Sequence, residues 1–260
     1  MSGTKMIEIK NKFSIRKMEK AGKLLSGIFQ DITSLICPGV STAELNFWIA
    51  KQLREKGLVS KSKGYAGYKH ESCISVNQEV IHGVPSQEKI LKEGDLVKID
   101  ICASWKKYCA DMARSICVGK CTVDAKRLID IAQAALDAGI NKAKAGNYLS
   151  DISAAIQKVV EDNGCGVIRD FAGHGIGRSL HEDPEIPNYG NPGKGPILRP
   201  GMALAIEPMI TAGNYEVVIM DDGWTVRTLD NSLTAHIEDT VIVTAGEPNI
   251  LTRHRENKNL

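Results

Sequence analysis

Four acidic residues stand singly in apolar, strand-like runs where a core would ordinarily place hydrophobic side chains: Asp100 in LVKIDICAS, Asp111 in YCADMARSI, Glu207 in ALAIEPMI and Glu238 in AHIEDTVIV. A hairpin turning at Trp105 and Lys106 would set Asp100 directly opposite Asp111. Like charges opposed across a strand pair destabilise a sheet, and buried unpaired carboxylates cost more still. A divalent cation between them removes the conflict, because it brings positive charge and takes oxygen ligands from both strands. Two aspartates on an exposed face, in register by accident, would give the same spacing. Glu207, Glu238 and His174 weigh against that alternative. One histidine and four carboxylates form a hard, oxygen-rich donor set, too large for one ion of ordinary geometry and suited to two. Ions paired roughly 3.5 to 4 Å apart activate water and polarise the attacked carbonyl, so the chemistry expected is hydrolysis.

His174 lies in FAGHGIGRSLHEDP. Gly173, Gly175 and Gly177 are expected to let the backbone turn tightly there and approach a ligand. A nucleotide-binding loop is a weak alternative, since no strand–GxGxxG–helix context surrounds the glycines.

The elements that must position these residues come in two similar rounds. Ile15, Met18, Ala21, Leu24, Leu25 and Ile28 have the spacing of an amphipathic helix over residues 14–30, ended by Pro38. A capping box of Ser41 and Glu44 opens a second helix that runs to about Lys56, where Gly57 stops it. Strand texture follows in CISV, GDLVKIDICAS and YCADMARSICV. Helical patterning returns at residues 123–144 and 149–160, and strand-like runs fill residues 201–244. Within this repetition, ILKEGDLVKID at 90–100 echoes ILRPGMALAIE at 197–207, and both copies end in a carboxylate. An internal duplication with an acidic site on its pseudo-twofold axis is the reading.

At 260 residues, 43% of them hydrophobic and 25% charged, the composition is that of a folded globular chain. A net charge of +2 gives no general reason to expect nucleic acid or an anionic membrane. A basic stretch from Lys51 to Lys69 reads first as a solvated face, with contact to the ribosome surface as the partner reading. Residues 1–15 hold no apolar signal region and no run is long enough to span a membrane, so a cytoplasmic chain is expected. The seven cysteines include no CxxC pair, which argues against a zinc finger. Cys102 and Cys117, set in apolar runs, are expected to act as small buried hydrophobes in a reducing compartment.

Over nearly its whole length the chain resembles the type I methionine aminopeptidases. The resemblance is carried by CISVNQEVIHGVP (73–85), GDLVKIDI (94–101), CADMARSICVG (109–119), GHGIGRSLHEDP (173–184), AIEPMI (205–210), DGWTVRT (222–228) and IEDTVIVT (237–244). It implies a pita-bread fold of the α+β class: one catalytic domain over 1–260 whose pseudo-twofold halves, about 1–120 and 121–250, back a curved antiparallel sheet with paired helices. It implies removal of the initiator methionine from nascent proteins and peptides that start with Met, with a small second residue preferred. Two divalent ions, manganese, iron(II) or cobalt, would be held by Asp100, Asp111, His174, Glu207 and Glu238, with Asp111 and Glu238 bridging. Glu207 would also carry the proton of the attacking water, His181 would donate to the scissile carbonyl, and His82 would contact the amide nitrogen or the residue after methionine. Tyr65, Tyr68, Cys73, Leu180 and Trp224 would form the methionine pocket together with the two histidines, and His70, His236 and His254 would be surface or packing residues.

Two positions depart from the family pattern. Leu180 stands where bacterial relatives often have phenylalanine, and Asp239 follows Glu238 where histidine is common. The chain shows no amino-terminal zinc-binding extension, and 25 residues between His181 and Glu207 leave no space for the helical insertion of type II. A monomer of the bacterial form is expected.

Overall fold

A computed structural model describes residues 7–253. Helices α1 (Lys12–Ile32), α2 (Thr42–Glu55), α3 (Val123–Lys142) and α4 (Leu149–Asp162) fill the four windows that the periodicity predicts. Local chemistry sets their ends. Asn11 Oδ1 accepts from the backbone N–H groups of Phe13 and Ser14, so α1 starts earlier than its apolar spacing suggests. The capping box of Ser41 and Glu44 opens α2, and Thr122 Oγ1 caps α3.

The first half contains β1 (Val59–Ser60), β2 (Cys73–Val76), β3 (Glu79–Ile81), β4 (Leu96–Trp105) and β5 (Tyr108–Cys117). The second contains β6 (Gly166–Val167), β7 (Ala172–Gly175), β8 (Glu182–Pro187), β9 (Ala203–Ile206), β10 (Met209–Thr211), β11 (Val217–Ile219), β12 (Val226–Thr228), β13 (Thr234–His236), β14 (Glu238–Ile242) and β15 (Asn249–Ile250). Nine of them form one antiparallel sheet in the order β1-β4-β5-β14-β9-β7-β8, with β2 on β4 and β15 on β14. Three-stranded sheets β13-β10-β6 and β11-β12-β3 flank it.

The sequence echo extends into the fold at the offset of 107 that separates Ile90 from Ile197. At that offset α2 and α4 start and stop at corresponding residues, each 14 residues long. Gly39 N–H donates to Leu91 O as Gly146 N–H donates to Leu198 O, and Ser41 bridges Ile90 as Tyr148 bridges Ile197. Gly94 and Gly201 both take left-handed φ, 86° and 91°, which a Cβ would penalise. Each half then places a strand, β4 or β9, that leads to its acid. The next long strands, β5 and β14, pair with each other, Glu238 opposite Ala113 and Asp239 opposite Met112, and so join the halves mid-sheet.

The β4–β5 register corrects the hairpin expected from sequence. Pairing runs from Leu96 with Cys117 to Trp105 with Tyr108, so the turn is Lys106–Lys107, one residue further on. Both lysines adopt left-handed φ, 47° and 70°, as a two-residue turn matched to the strand twist requires. Asp111 therefore faces Cys102 and Asp100 faces Ala113. The two aspartates are diagonal neighbours on one face, not direct opposites.

The core is doubled as well. One cluster centres on Leu25, Ile28, Ile49, Leu53, Ile99 and Ile101, the other on Leu128, Leu136, Ile152, Ile156, Leu204 and Val241. Fully burying each such side chain is worth about 1.5–3 kcal/mol, so both helix pairs are bound to the sheet by apolar contact. Cys102 is buried as expected. Cys117 is not a free thiol: the strand end and the short link to α3 bring it to Cys121, with which it forms a disulfide. In the basic stretch Lys51 pairs with Glu55, Lys56 with Asp31 and Lys63 with Glu71, which opposes half of its six cations. No helix among the described residues is long and apolar enough to cross a membrane.

Candidate active site

Every acid singled out in the sequence reaches one place, and the sheet explains how. Asp100 and Asp111 share a face of the β4–β5 hairpin, where diagonal side chains remain within reach of each other, and their carboxyl groups are hydrogen-bonded. Glu238 begins β14 beside β5, and Glu207 follows β9 beside β14. His174 comes from β7 on the far side of β9, opposite Ala205. Donor atoms of Asp111, His174 and Glu238 all lie within 4.8 Å of one another. His174 Nε2 is 3.8 Å from Asp111 Oδ2 and 3.5 Å from Glu207 Oε1.

Hydroxyl groups fix the main chain where the β5–β14 ladder stops. Thr240 Oγ1 accepts from Asp111 N–H and donates to Asp111 O. Ser115 Oγ does the same for His236. Below the sheet Asp239, 0% exposed, receives hydrogen bonds from Arg114, Thr252 and Arg253, and Arg114 also donates to Glu238 O. The Asp239 departure is thus part of a network that holds the strand bearing Glu238.

The glycines around His174 serve strand packing and not a tight turn against a ligand. A Cβ on Gly173 would lie 2.5 Å from Ala205 O, and one on Gly175 would collide with Asp183 O. Their φ values are ordinary, so close approach of β7 to β8 and β9 is what excludes a side chain.

Electrostatically the site is frustrated. Burial pushes Glu207 up to about 8. Burial and then the Glu207 charge push Asp111 up to about 7, and burial with repulsion from Asp111 drives Asp100 and Glu238 well above the carboxylate range. Glu238 Oε1 is buried without a partner. His174 is lowered to about 3 by burial and then by His181, so its ring is neutral. Its Nδ1 sits 2.9 Å from Gly175 O, which assigns the proton to Nδ1 and leaves the Nε2 lone pair facing the acids. Four crowded carboxylates, an orphaned oxygen and an imidazole lone pair fit divalent cations.

Above the acids lies a cavity lined by all twelve residues singled out from the sequence, and also by Ser62 and Cys102. Tyr68 and Trp224 meet edge to face at 4.9 Å, with Tyr65, Cys73 and Leu180 completing an aromatic and sulfur-bearing wall. His181 stands at the mouth, its ring 4.4 Å from that of His174 and its Nδ1 2.7 Å from Tyr65 Oη. His82 adopts left-handed φ, 57°, between β3 and Gly83, and burial lowers it to about 4.

One residue left aside in the sequence lies against the acids. His236, read as surface or packing, is 1% exposed, and its Nε2 lies 3.5 Å from Glu207 Oε2. The signal was its position two residues before Glu238, which on a strand means the same face. His70 is half-buried and outside the cavity; His254 lies outside the described residues.

A model of metallopeptidase family M24 matches residues 16–245. Methionine aminopeptidases from Clostridium acetobutylicum and Clostridium perfringens are 44% and 46% identical over 95% of this chain and 99% of their own. A crystal structure of methionine aminopeptidase from Thermotoga maritima aligns with a TM-score of 0.94 at 42% identity, covering 96% of this chain and all of that one.

Proposed function

Since the chain belongs to metallopeptidase family M24 and, within it, to the type I methionine aminopeptidases of pita-bread fold, we propose that it removes the initiator methionine from nascent proteins and peptides by using two divalent cations. The observation that carries this reading is the aromatic, sulfur-lined cavity set over Asp100, Asp111, His174, Glu207 and Glu238, of which Asp111, His174 and Glu238 bring donor atoms within 4.8 Å of one another.

Asp111 and Glu238, on the strands that join the two halves, would be shared between the ions. His174 and Glu207, 3.5 Å apart, would serve one ion, and Asp100, bonded to Asp111, the other. Bound, the ions supply Lewis acidity that lowers the pKa of water and polarises a carbonyl. Manganese, iron(II) and cobalt all suit this donor set.

The chain's own groups do the rest. Methionine fills the wall of Tyr65, Tyr68, Cys73, Leu180 and Trp224, where aromatic and sulfur groups suit a thioether. Glu207 takes the proton of the attacking water and delivers it to the leaving amine. Tyr65 Oη lies 2.7 Å from His181 Nδ1; with Tyr65 as the donor the ring proton stays on Nε2, and that nitrogen can donate to the scissile oxygen as negative charge grows there. His82 contacts the amide nitrogen or the second residue and limits its size. Nascent chains as substrates favour the cytoplasm as the place of action, and a monomer is the form proposed. Docking to the ribosome through Lys51–Lys69 is the least supported part, given the ion pairs there.

The test is a peptide assay joined to metal analysis. Met-Ala-Ser, Met-Gly and Met-Ser starts should be cleaved and Met-Lys and Met-Phe starts spared, with about two equivalents of metal required. Equal cleavage of both groups, or turnover after exhaustive chelation, refutes the reading.

A further inference from the structure

His236 closes β13 with both ring nitrogens buried and without a hydrogen-bond partner. Leaving such a group unpaired is costly, and in a native protein that usually marks an absent ligand or water or a functional role. Ser115 Oγ holds the main chain of His236 through both its N–H and its carbonyl, which fixes where the ring is rooted. What the ring faces is Glu207. Oε2 of that carboxylate lies 3.5 Å from His236 Nε2, and Oε1 lies 3.5 Å from His174 Nε2. Glu207 is therefore flanked by two imidazoles, one with its lone pair turned toward the acids and one with no partner.

We infer that His236 is a positioning residue for Glu207: its Nε2–H donates to Oε2, fixes the rotation of the carboxylate and leaves Oε1 to the cation beside His174. The separation is a few tenths of an ångström beyond a normal N–H···O bond, a gap that a small rotation of Glu207 closes. Such outer-sphere donors orient metal-bound carboxylates and tune their basicity. The inference rests on reading Glu207 as a metal ligand. It does not require the peptidase activity.

The experiment titrates the full chain with cobalt(II), followed by visible absorption and calorimetry, for the wild type, His236→Leu, His236→Gln and Glu207→Gln, with kcat and KM on Met-Ala-Ser measured alongside. His236→Leu should weaken the first cobalt site on the order of 10–100-fold and lower kcat to a similar degree, with KM nearly unchanged. His236→Gln restores a donor of similar reach, so it should keep the wild-type cobalt spectrum and recover most of the loss. In a Glu207→Gln background, His236→Leu should cause no further loss of affinity. Wild-type cobalt affinity in His236→Leu would reduce the ring to packing. A glutamine variant as weak as the leucine one, with an altered spectrum, would make His236 a direct ligand. Additive losses in the double variant would equally overturn the inference. A wild type that binds cobalt but spares Met-Ala-Ser would sink the proposed function and leave the His236 question answerable.

Discussion

From Gly39 to Asp100 and from Gly146 to Glu207 the two halves follow one plan, with corresponding helices, bridges and left-handed glycines. They diverge after the acid. The first half goes straight through a two-residue turn and presents Asp111 on the returning strand. The second half detours from Glu207 to Glu238 through β10, β11, β12 and β13, and that detour carries Trp224 into the cavity wall and His236 against Glu207. A shared plan therefore supplies paired acids, both halves line the cavity above them, and the inserted strands of one half add Trp224 and His236 to those surroundings. If that division holds, losing a ligand from either half should be equally severe, and losing a residue of the surroundings milder.

The largest effect expected is from the joining strands. Asp111→Ala and Glu238→Ala should each abolish metal binding at the shared position and lower kcat/KM by on the order of a thousandfold or more, while circular dichroism stays folded. Peptidase assays with metal analysis check this. Retained activity in one variant alone would break the symmetric assignment.

Metal removal tests the same ligands through stability. Asp111 rises from 3.8 to about 7 on folding, and Glu207 from 4.5 to about 8. A carboxyl with a raised folded pKa contributes stability that is fully present below its unfolded pKa and is lost as pH rises through the folded one. Chelated protein should therefore melt lower at pH 8 than at pH 5, by several degrees at roughly 2–4 °C per kcal/mol for a chain of this size. Added divalent metal should remove most of that difference. A pH-independent melting point in the chelated protein would mean that the acids are not crowded as described.

Much of this was legible in the sequence, and the failures have physical causes. The helices were readable because their caps are local: Ser41 and Glu44 satisfy each other within one turn. The acidic cluster was readable because a lone acid in an apolar strand is costly and so informative. The hairpin register was not, because Lys106 and Lys107 take left-handed backbone without the asparagine or glycine that normally signals it. His236 is harder to read because its one signal, a place two residues before Glu238, does not say which side chain lies across from it. The Cys117–Cys121 bridge depends on how the chain turns after β5, which spacing alone does not determine.

A contact between the halves gives a smaller effect. Tyr65 of the first half holds His181 of the second. Tyr65→Phe keeps the ring and removes the hydroxyl, so kcat should fall roughly tenfold, the scale of a group that orients a catalytic histidine without replacing it. KM for Met-Ala-Ser should change little. A rise in KM at constant kcat would make Tyr65 only a wall of the methionine pocket.

The smallest effect concerns Leu180, which lines the cavity next to His181 and packs on the cluster containing Cys102 and Ile176. Because it lines the cavity from the link between β7 and β8 and offers no donor atom, it belongs to the surroundings and not to the acidic cluster, and changing it should alter selectivity while sparing metal. A leucine in place of a ring removes a flat face from the wall, and each sulfur–aromatic contact is worth about 0.3–1.5 kcal/mol. Leu180→Phe should therefore strengthen methionine binding by roughly 2–10-fold and, by filling space, disfavour bulkier thioethers at the first position. Cobalt affinity should stay as in the wild type. Comparing Met, norleucine and a larger thioether at the first position of one peptide separates the two effects: norleucine has no sulfur, so it should gain less than Met, and the larger side chain should lose outright. If all three keep their relative kcat/KM values, Leu180 does not touch the methionine side chain. If cobalt binding changes as well, surroundings and ligands are not separable, and the division between them fails at the residue where it should be clearest.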